Sequence, residues 1–357
     1  MVTFLHNKTL NKKMFPDKKA LTIFLFFLFF ISLLIATLSI VKYNLSVRPV
    51  QANIEGDYIK WVDFNVTYKA LEDSMSIDIE SHNEECKINW IDLLAYLGSK
   101  YGGDFSKYQK SDMDDIVKKI KSGISIDEIT AENKYFSYYK EAYDAVLSQF
   151  LGEYKIQTDK KDENGQDIYE EKYGLKAFSP IAKTFPYDHY KDFGSPRSYG
   201  FSRPHLGHDM MAATGTPVIA VESGIVEVMG WNQYGGWRIG IRSFDKKRYY
   251  YYAHLRQNKP YHADLFEGKV VTAGDVIGYV GRTGYSTNEN TNNIEKSHLH
   301  IGLQLIFDES QKECNSEIWI DMYAITTLLE KHKSEVYRVA ETKEYYRKYE
   351  MIDPAIE

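Results

Sequence analysis

The hydrophobic positions change their period along the chain. Residues 20–41 read ALTIFLFFLFFISLLIATLSIV, a continuous apolar run with no charge. At 1.5 Å per residue such a run spans roughly 33 Å as a helix, enough for the hydrocarbon core of a bilayer. Lys8, Lys12, Lys13, Lys18 and Lys19 precede it, and only Lys42 and Arg48 follow closely. The positive-inside rule then predicts a basic cytoplasmic tail over 1–19, a single transmembrane helix over 20–41, and an extracytoplasmic remainder. A cleaved signal peptide is the rival reading. It would need a shorter apolar core of roughly 7–15 residues and a small-residue cleavage site, and no such site is evident here.

After a tether over 42–56, residues 57–155 carry helical spacing and are expected to form a helical module. Asn89 is placed to cap IDLLAYLGSKYGG, which ends in a glycine pair. Ser111 with Asp114 resembles a capping box opening DMDDIVKKIKSG. In KYFSYYKEAYDAVLSQFLG, Phe136, Tyr139, Tyr143, Val146, Leu147 and Phe150 recur on one face, with Gly152 expected to end the run. This aromatic stripe reads as core. His82, in the polar stretch ESHNEECK, reads as an exposed histidine.

The period then shortens. Residues 156–193 are polar around Asn164-Gly165, a turn signal that fits a hairpin or a linker. From about 176 onward, TPVIAV, GIVEVMG, WRIGIRSF, RYYYYAHL, DVIGYVG and HLHIGLQLIF read as strands between glycine turns. This predicts an antiparallel all-β domain over 194–328, ending in a helix that starts near Ile320. Residues 329–357 are heavily charged and are expected to continue as a surface helix. The fold class is therefore α+β multidomain: membrane helix, helical module, then antiparallel β-domain.

Composition changes little in this picture. The chain has 357 residues, 43% hydrophobic and 26% charged, which suits about two globular domains. A net charge of -6 leaves no basic footprint for nucleic acid. Cys86 and Cys314 both fall on the predicted outer side, where a disulfide is permitted. They lie in different predicted domains, and two unpaired thiols are the simpler expectation.

The candidate chemistry is in the histidines. Three patterns stand out: His205-Leu206-Gly207-His208-Asp209, then Tyr252-Ala253-His254-Leu255 at a strand end, then His298-Leu299-His300 at a strand start. Residues i and i+2 of a strand face the same way, so His298 and His300 can enter one cleft together. Two imidazoles with a carboxylate and a further histidine form the donor set of a hydrolytic zinc site. Any one of these histidines alone would read as a satisfied polar residue at a strand end. The ordered set does not.

HxxxD, a strand-borne histidine and HxH, in that order, resemble the lysostaphin/LytM family of zinc metalloendopeptidases, cell-wall peptidases with a duplicated hybrid motif. GTPVIAVESGIVEVMG, YYAHL, AGDVIGYVGRTGYST and SHLHIGLQL carry the likeness, over roughly residues 194–326. By position, the resemblance implies His205, Asp209 and His300 as ligands of one Zn2+, and His254 and His298 as the pair that handles protons. His208 has no counterpart role and reads as a neighbour of the site. The resemblance further implies peptidoglycan peptides as substrate, with hydrolysis in the stem or cross-bridge.

One segment departs from the family pattern. Between Gly284 and His298 stands YSTNENTNNIEKS, longer and richer in asparagine than the usual lead into HxH, with Ser297 where proline is common. That loop is expected to border the cleft, either shaping substrate choice or standing as an inert insertion. Two further readings stay open: a non-hydrolytic tethered scaffold or channel component of sporulation type, and a wall-opening enzyme of a secretion or conjugation apparatus. In the first the β-domain itself would dock another extracytoplasmic protein; in the second the helical module would be the docking piece.

Overall fold

A computed structural model describes residues 58–199, 201–312 and 317–356. The expected basic tail, membrane helix and tether lie outside the described residues. Among the described residues no helix is long and apolar enough to cross a membrane.

The helices come first in the chain. They are α1 (Tyr68–Ser81), α2 (Trp90–Tyr101), α3 (Lys110–Lys121), α4 (Ile126–Thr130) and α5 (Phe136–Leu147). Asn89 caps α2 as its sequence predicts, its side chain accepting from the Ile91 and Asp92 amides, and Gly102 closes the helix at φ +63°. The expected Ser111 box does not form. α3 starts two residues earlier, with Gln109 at the cap position and no side-chain cap, and Asp114 pairs instead with Lys110 at 3.1 Å. A complete capping box stands at α4, between Ser125 and Glu128. The aromatic stripe of α5 is core, with Tyr143, Val146 and Leu147 fully buried. α5 ends at Leu147, however, and Gly152 is already in a strand, because Leu151 pairs with Leu175.

That strand, β1 (Leu151–Lys161), turns at Asn164-Gly165 into β2 (Asp167–Leu175), so the polar segment is a hairpin. The strands that follow are β3 (Tyr187–Tyr190), β4 (Pro196–Tyr199), β5 (Phe201–Pro204), β6 (His208–Ala212), β7 (Pro217–Ile219), β8 (Gly224–Asn232) and β9 (Gly236–Ser243). Next come β10 (Arg248–Ala253), β11 (Val270–Val271), β12 (Val276–Tyr279), β13 (His298–Leu305) and β14 (Ile318–Ile320). The main sheet is antiparallel, in the order β11-β8-β9-β10-β13-β6-β3, with β14 also on β13. One face is core. Ile239 and Ile241 of β9, Tyr250 and Tyr252 of β10, and Leu299, Ile301 and Leu303 of β13 alternate into it at 0–1% exposure. The other face carries His298 and His300 of β13 beside Asp209 of β6.

The helices and the sheet share one hydrophobic core, and residues 58–357 form a single compact unit. A buried ionic joint links them. Arg248, at 0% exposure, donates to both carboxylate oxygens of Glu222, at 2.9 and 3.1 Å, and to the Ala145 carbonyl of α5 at 2.8 Å.

The charged tail is not the expected surface helix. α6 covers Tyr323–Leu329 only and packs against α1. Then β15 (Val336–Arg338) and β16 (Tyr345–Arg347) form a hairpin, and β17 (Met351–Ile352) pairs with β1. Tertiary partners override the local charge pattern here. Asp353 accepts from Lys176 at 3.0 Å and from Ser223 at 2.7 Å, and the Glu344 carboxylate takes the Tyr279 hydroxyl. His82 is also not free on the surface, since its ring stacks on Tyr173 at 3.6 Å. Cys86 is an unpaired thiol directed at the Ile120 carbonyl, and Cys314 is outside the described residues.

Candidate metal centre

The register of β13 on β6 builds the site. His300 lies directly opposite Asp209, and His298 opposite Met211. Opposed residues share a face, so Asp209, His298 and His300 all point into the cleft. His205 follows β5 and reaches the same point from the turn before β6. His205 Nε2, Asp209 Oδ1 and His300 Nδ1 lie 2.9–3.1 Å from one another. A tetrahedral ion with bonds of roughly 2.0–2.1 Å would set its ligands about 3.3 Å apart. Two imidazole nitrogens and one carboxylate oxygen thus converge at nearly metal-ligand spacing, and this is the only such His/Asp cluster found among the described residues. The donor set suits zinc.

Gly207 makes the convergence possible. A Cβ there would overlap the Cε1–Nε2 edge of the His300 ring, so only glycine lets the turn lie under that ring.

The electrostatics agree with a ligand set. Burial alone would raise the Asp209 carboxyl. Hydrogen bonds to His205 and His300 outweigh it and hold the group far below the usual carboxylate range. His205 is pushed down by burial and more than restored by Asp209, ending above the ordinary histidine value. His300 is lowered, because burial wins over its bond to Asp209.

His254 is the first residue after β10 and has φ +60°. That left-handed backbone is costly for a non-glycine residue and is held by the His254 amide donating to Gly235 at 2.7 Å. Its ring lies 4.8 Å from that of His298 and 5.7 Å from that of His300. Burial drives its pKa well down, so the ring is neutral. His254 Nδ1 faces the Thr283 carbonyl at 3.0 Å, and His298 Nδ1 faces the Lys296 carbonyl at 2.8 Å. A carbonyl only accepts, so both rings carry a proton on Nδ1, and in the neutral ring of His254 this leaves Nε2 with a lone pair. Gly236 supports this arrangement, since at φ +67° its backbone packs directly on Thr283.

The five predicted residues therefore meet in one site. His208 does not join them. The alternation of β6 turns it to the opposite face, where it is buried and lies 2.7 Å from His189. Burial lowers its pKa to about 3, so it is neutral.

Sequence reasoning missed two groups around the centre. Asp192, from the stretch read as linker, lies 2.9 Å from His205 Nδ1 and is bonded to Arg197, which also reaches Asp209 at 3.4 Å. No motif marks either residue. The second group is aromatic. Tyr285 stands 5.8 Å from His254 and 5.4 Å from Tyr199, with Tyr234 6.0 Å beyond. Tyr285 belongs to the asparagine-rich loop, which is tied down: Asn290 accepts from Trp237 and the Asn258 amide, and Asn293 donates to the Tyr285 carbonyl. That loop borders the cleft.

Comparisons with known proteins point the same way. Residues 203–313 match the model of peptidase family M23. The L-Ala–D-Glu endopeptidase of Bacillus subtilis (strain 168) is 38% identical over 130 residues, covering 36% of this chain and 38% of that protein. Lysostaphin of Staphylococcus simulans is 40% identical over 98 residues, covering 27% of this chain and 17% of that protein. The chain thus spans well under half the length of these relatives. A solved lytM structure from Ruminococcus gnavus is 23% identical, covers 75% of this chain and 89% of that one, and superposes with a TM-score of 0.49. The family match and the two sequence relatives support a lysostaphin-like M23 peptidase segment.

Proposed function

We propose that the chain is a membrane-anchored zinc metalloendopeptidase that hydrolyses peptide bonds of peptidoglycan stems or cross-bridges on the outer face of the cell membrane. The observation that carries this reading is the convergence of His205 Nε2, Asp209 Oδ1 and His300 Nδ1 within 3.1 Å, beside the rings of His254 and His298. The M23 match and the endopeptidase names of the relatives add to it. The anchor rests on residues 20–41 and their lysine flank.

His205, Asp209 and His300 would hold the ion. When bound, Zn2+ supplies an activated water and polarises the scissile carbonyl. The remaining steps belong to side chains. His254, neutral with its lone pair on Nε2, and His298 beside it take a proton from the attacking water and return one to the leaving amine. In their protonated form they place positive charge beside the tetrahedral oxyanion. Asp192, 2.9 Å from His205 Nδ1, stands behind that ring where carboxylates commonly support ligand histidines. The wall formed by Tyr199, Tyr234 and Tyr285 lines the approach for the peptide.

The test is digestion of purified wall by the zinc-loaded full-length chain, with new amine termini counted and products identified by mass spectrometry. Absence of new termini at every pH from 5 to 9 would sink the reading.

A further inference from the structure

A second cavity, of about 480 Å³, adjoins the centre. His300 forms part of its lining, and from there it runs along the cleft face of the sheet past Tyr251 to Trp319. Arg203 and Arg238 both line it. Neither makes an ion pair among the described residues, and the buried Nε of each has no hydrogen-bond partner. Arg203 lies over the Tyr234 ring at 4.8 Å and meets the Tyr285 hydroxyl at 3.4 Å, which ties it to the aromatic wall beside His254. The other charged lining groups are Lys312 and one carboxylate, Glu317. Lys312 is bound to Glu227, and Glu317 accepts from Trp319 Nε1 at 2.8 Å.

Unpaired guanidinium groups at a partly buried surface are costly unless something anionic meets them. In a chain of net charge -6 this pocket is a local positive exception. Arginine is also the side chain best shaped for a carboxylate, through two parallel N–H bonds. We infer that the cavity lined by Arg203, Arg238 and Tyr251 is a carboxylate-binding subsite, which takes an acidic residue of the peptide next to the bond presented at His300. This rests on the peptidase reading for its purpose, but the pocket itself does not. Arg238 and Arg203 are specificity groups here, with the tyrosine rings flanking the aliphatic part of the bound residue.

The experiment is calorimetric binding of two neutral-ended probes, acetyl-alanyl-D-glutamyl amide and acetyl-alanyl-D-glutaminyl amide, to the full-length chain in mild detergent. They differ only in one carboxylate. Binding is measured with zinc loaded and with zinc removed, and cleavage is followed in parallel. The acidic probe is expected to bind about tenfold more tightly. Arg238→Gln is expected to erase the difference, Arg238→Lys to keep part of it, and Arg203→Gln to reduce it. Added salt should narrow it. Equal binding of the two probes, binding of neither, or a preference untouched by Arg238→Gln overturns the subsite. A preference that follows Arg238 while wall and peptides stay uncleaved upholds the subsite and removes the peptidase reading. Retention of native circular dichroism separates loss of binding from loss of fold.

Discussion

The Asp192 carboxylate lies 2.9 Å from Nδ1 of His205, on the side of the ring away from Asp209 and His300. The contact is an electrostatic one rather than an aligned hydrogen bond, and Nε2 is the nitrogen aimed into the centre. Carboxylates in this position typically contribute 10–100-fold to metal affinity. Asp192→Asn should therefore weaken zinc retention by about that factor, read as competition against a graded series of chelators. It should leave the unfolding midpoint of the metal-free chain nearly unchanged. Undiminished zinc affinity would mean that Asp192 serves Arg197 instead.

The roles of His254 and His300 can be separated. His300→Ala removes a donor and should release zinc along with activity. His254→Ala leaves all three donors in place and should keep stoichiometric zinc while turnover falls by roughly 10²–10⁴. Metal analysis beside wall-digestion rates decides this. Zinc loss in His254→Ala would reassign that residue as a ligand.

The joint between Arg248 and Glu222 sets the stability of the whole unit, since Arg248 also holds α5 through the Ala145 carbonyl. Removing Glu222 leaves the buried guanidinium with Asp245, at 2.8 Å, as its remaining carboxylate, so the loss should stay below the roughly 3–5 kcal/mol typical of a fully stranded buried charge. Glu222→Ala should lower the unfolding free energy read from urea titration, and with it the midpoint. The double replacement Glu222→Leu with Arg248→Met should cost less than the sum of the single changes. Additive costs would show that the two side chains are not coupled.

Much of the centre was legible because it is written in local spacing. HxH on a strand forces two rings onto one face, and the HxxxD turn brings His205 back over Asp209. The main strands were legible from alternation, as in RYYYYAHL. What was not legible depends on pairing between distant segments. β17 pairs with β1 across nearly two hundred residues, so a charged tail that reads as a helix becomes strands. Asp192 and Arg197 lie in irregular sequence whose position only the folded sheet defines. Gly152 reads as a helix stop, yet its place in β1 is decided by the partner strand β2. The helical module and the β-domain read as separate pieces, because nothing in either sequence reveals that Arg248 reaches α5.

Acid should loosen the fold through His332. Its ring stacks on Phe178 at 3.8 Å and its Nδ1 faces the Ala177 carbonyl at 3.0 Å. Burial lowers its pKa to about 4. The unfolded chain protonates this residue near pH 6.5, before the folded chain does. Stability is therefore intact above pH 6.5, falls as the pH drops toward 4, and loses no more below that. The loss is at most about 3 kcal/mol, less to the extent that the ring meets solvent. Thermal midpoints between pH 7 and 4 should fall less steeply in His332→Gln than in the parent chain. Parallel profiles would assign the acid sensitivity to other groups, with buried His208 the first candidate.

Gly207 offers the sharpest test of how the centre is built. It touches no donor atom, and its sequence neighbours His208 and Asp209 attract more attention. Yet a single methyl at this position would collide with the Cε1–Nε2 edge of His300. The ring is fixed by Asp209 on its other side, and Asp192 stands behind His205, so neither can move without giving up a contact. Gly207→Ala should therefore displace His300 Nδ1 from the donor triangle while leaving all three donors in the chain. Zinc affinity should fall by at least tenfold and wall digestion should fall with it. The far-ultraviolet spectrum should be unchanged, because the core face of β13 is untouched. A serine at 207 should behave no better, since the obstacle is Cβ itself. Full zinc affinity in Gly207→Ala would show that the turn before β6 can shift away from His300, and that the triangle does not depend on this close approach.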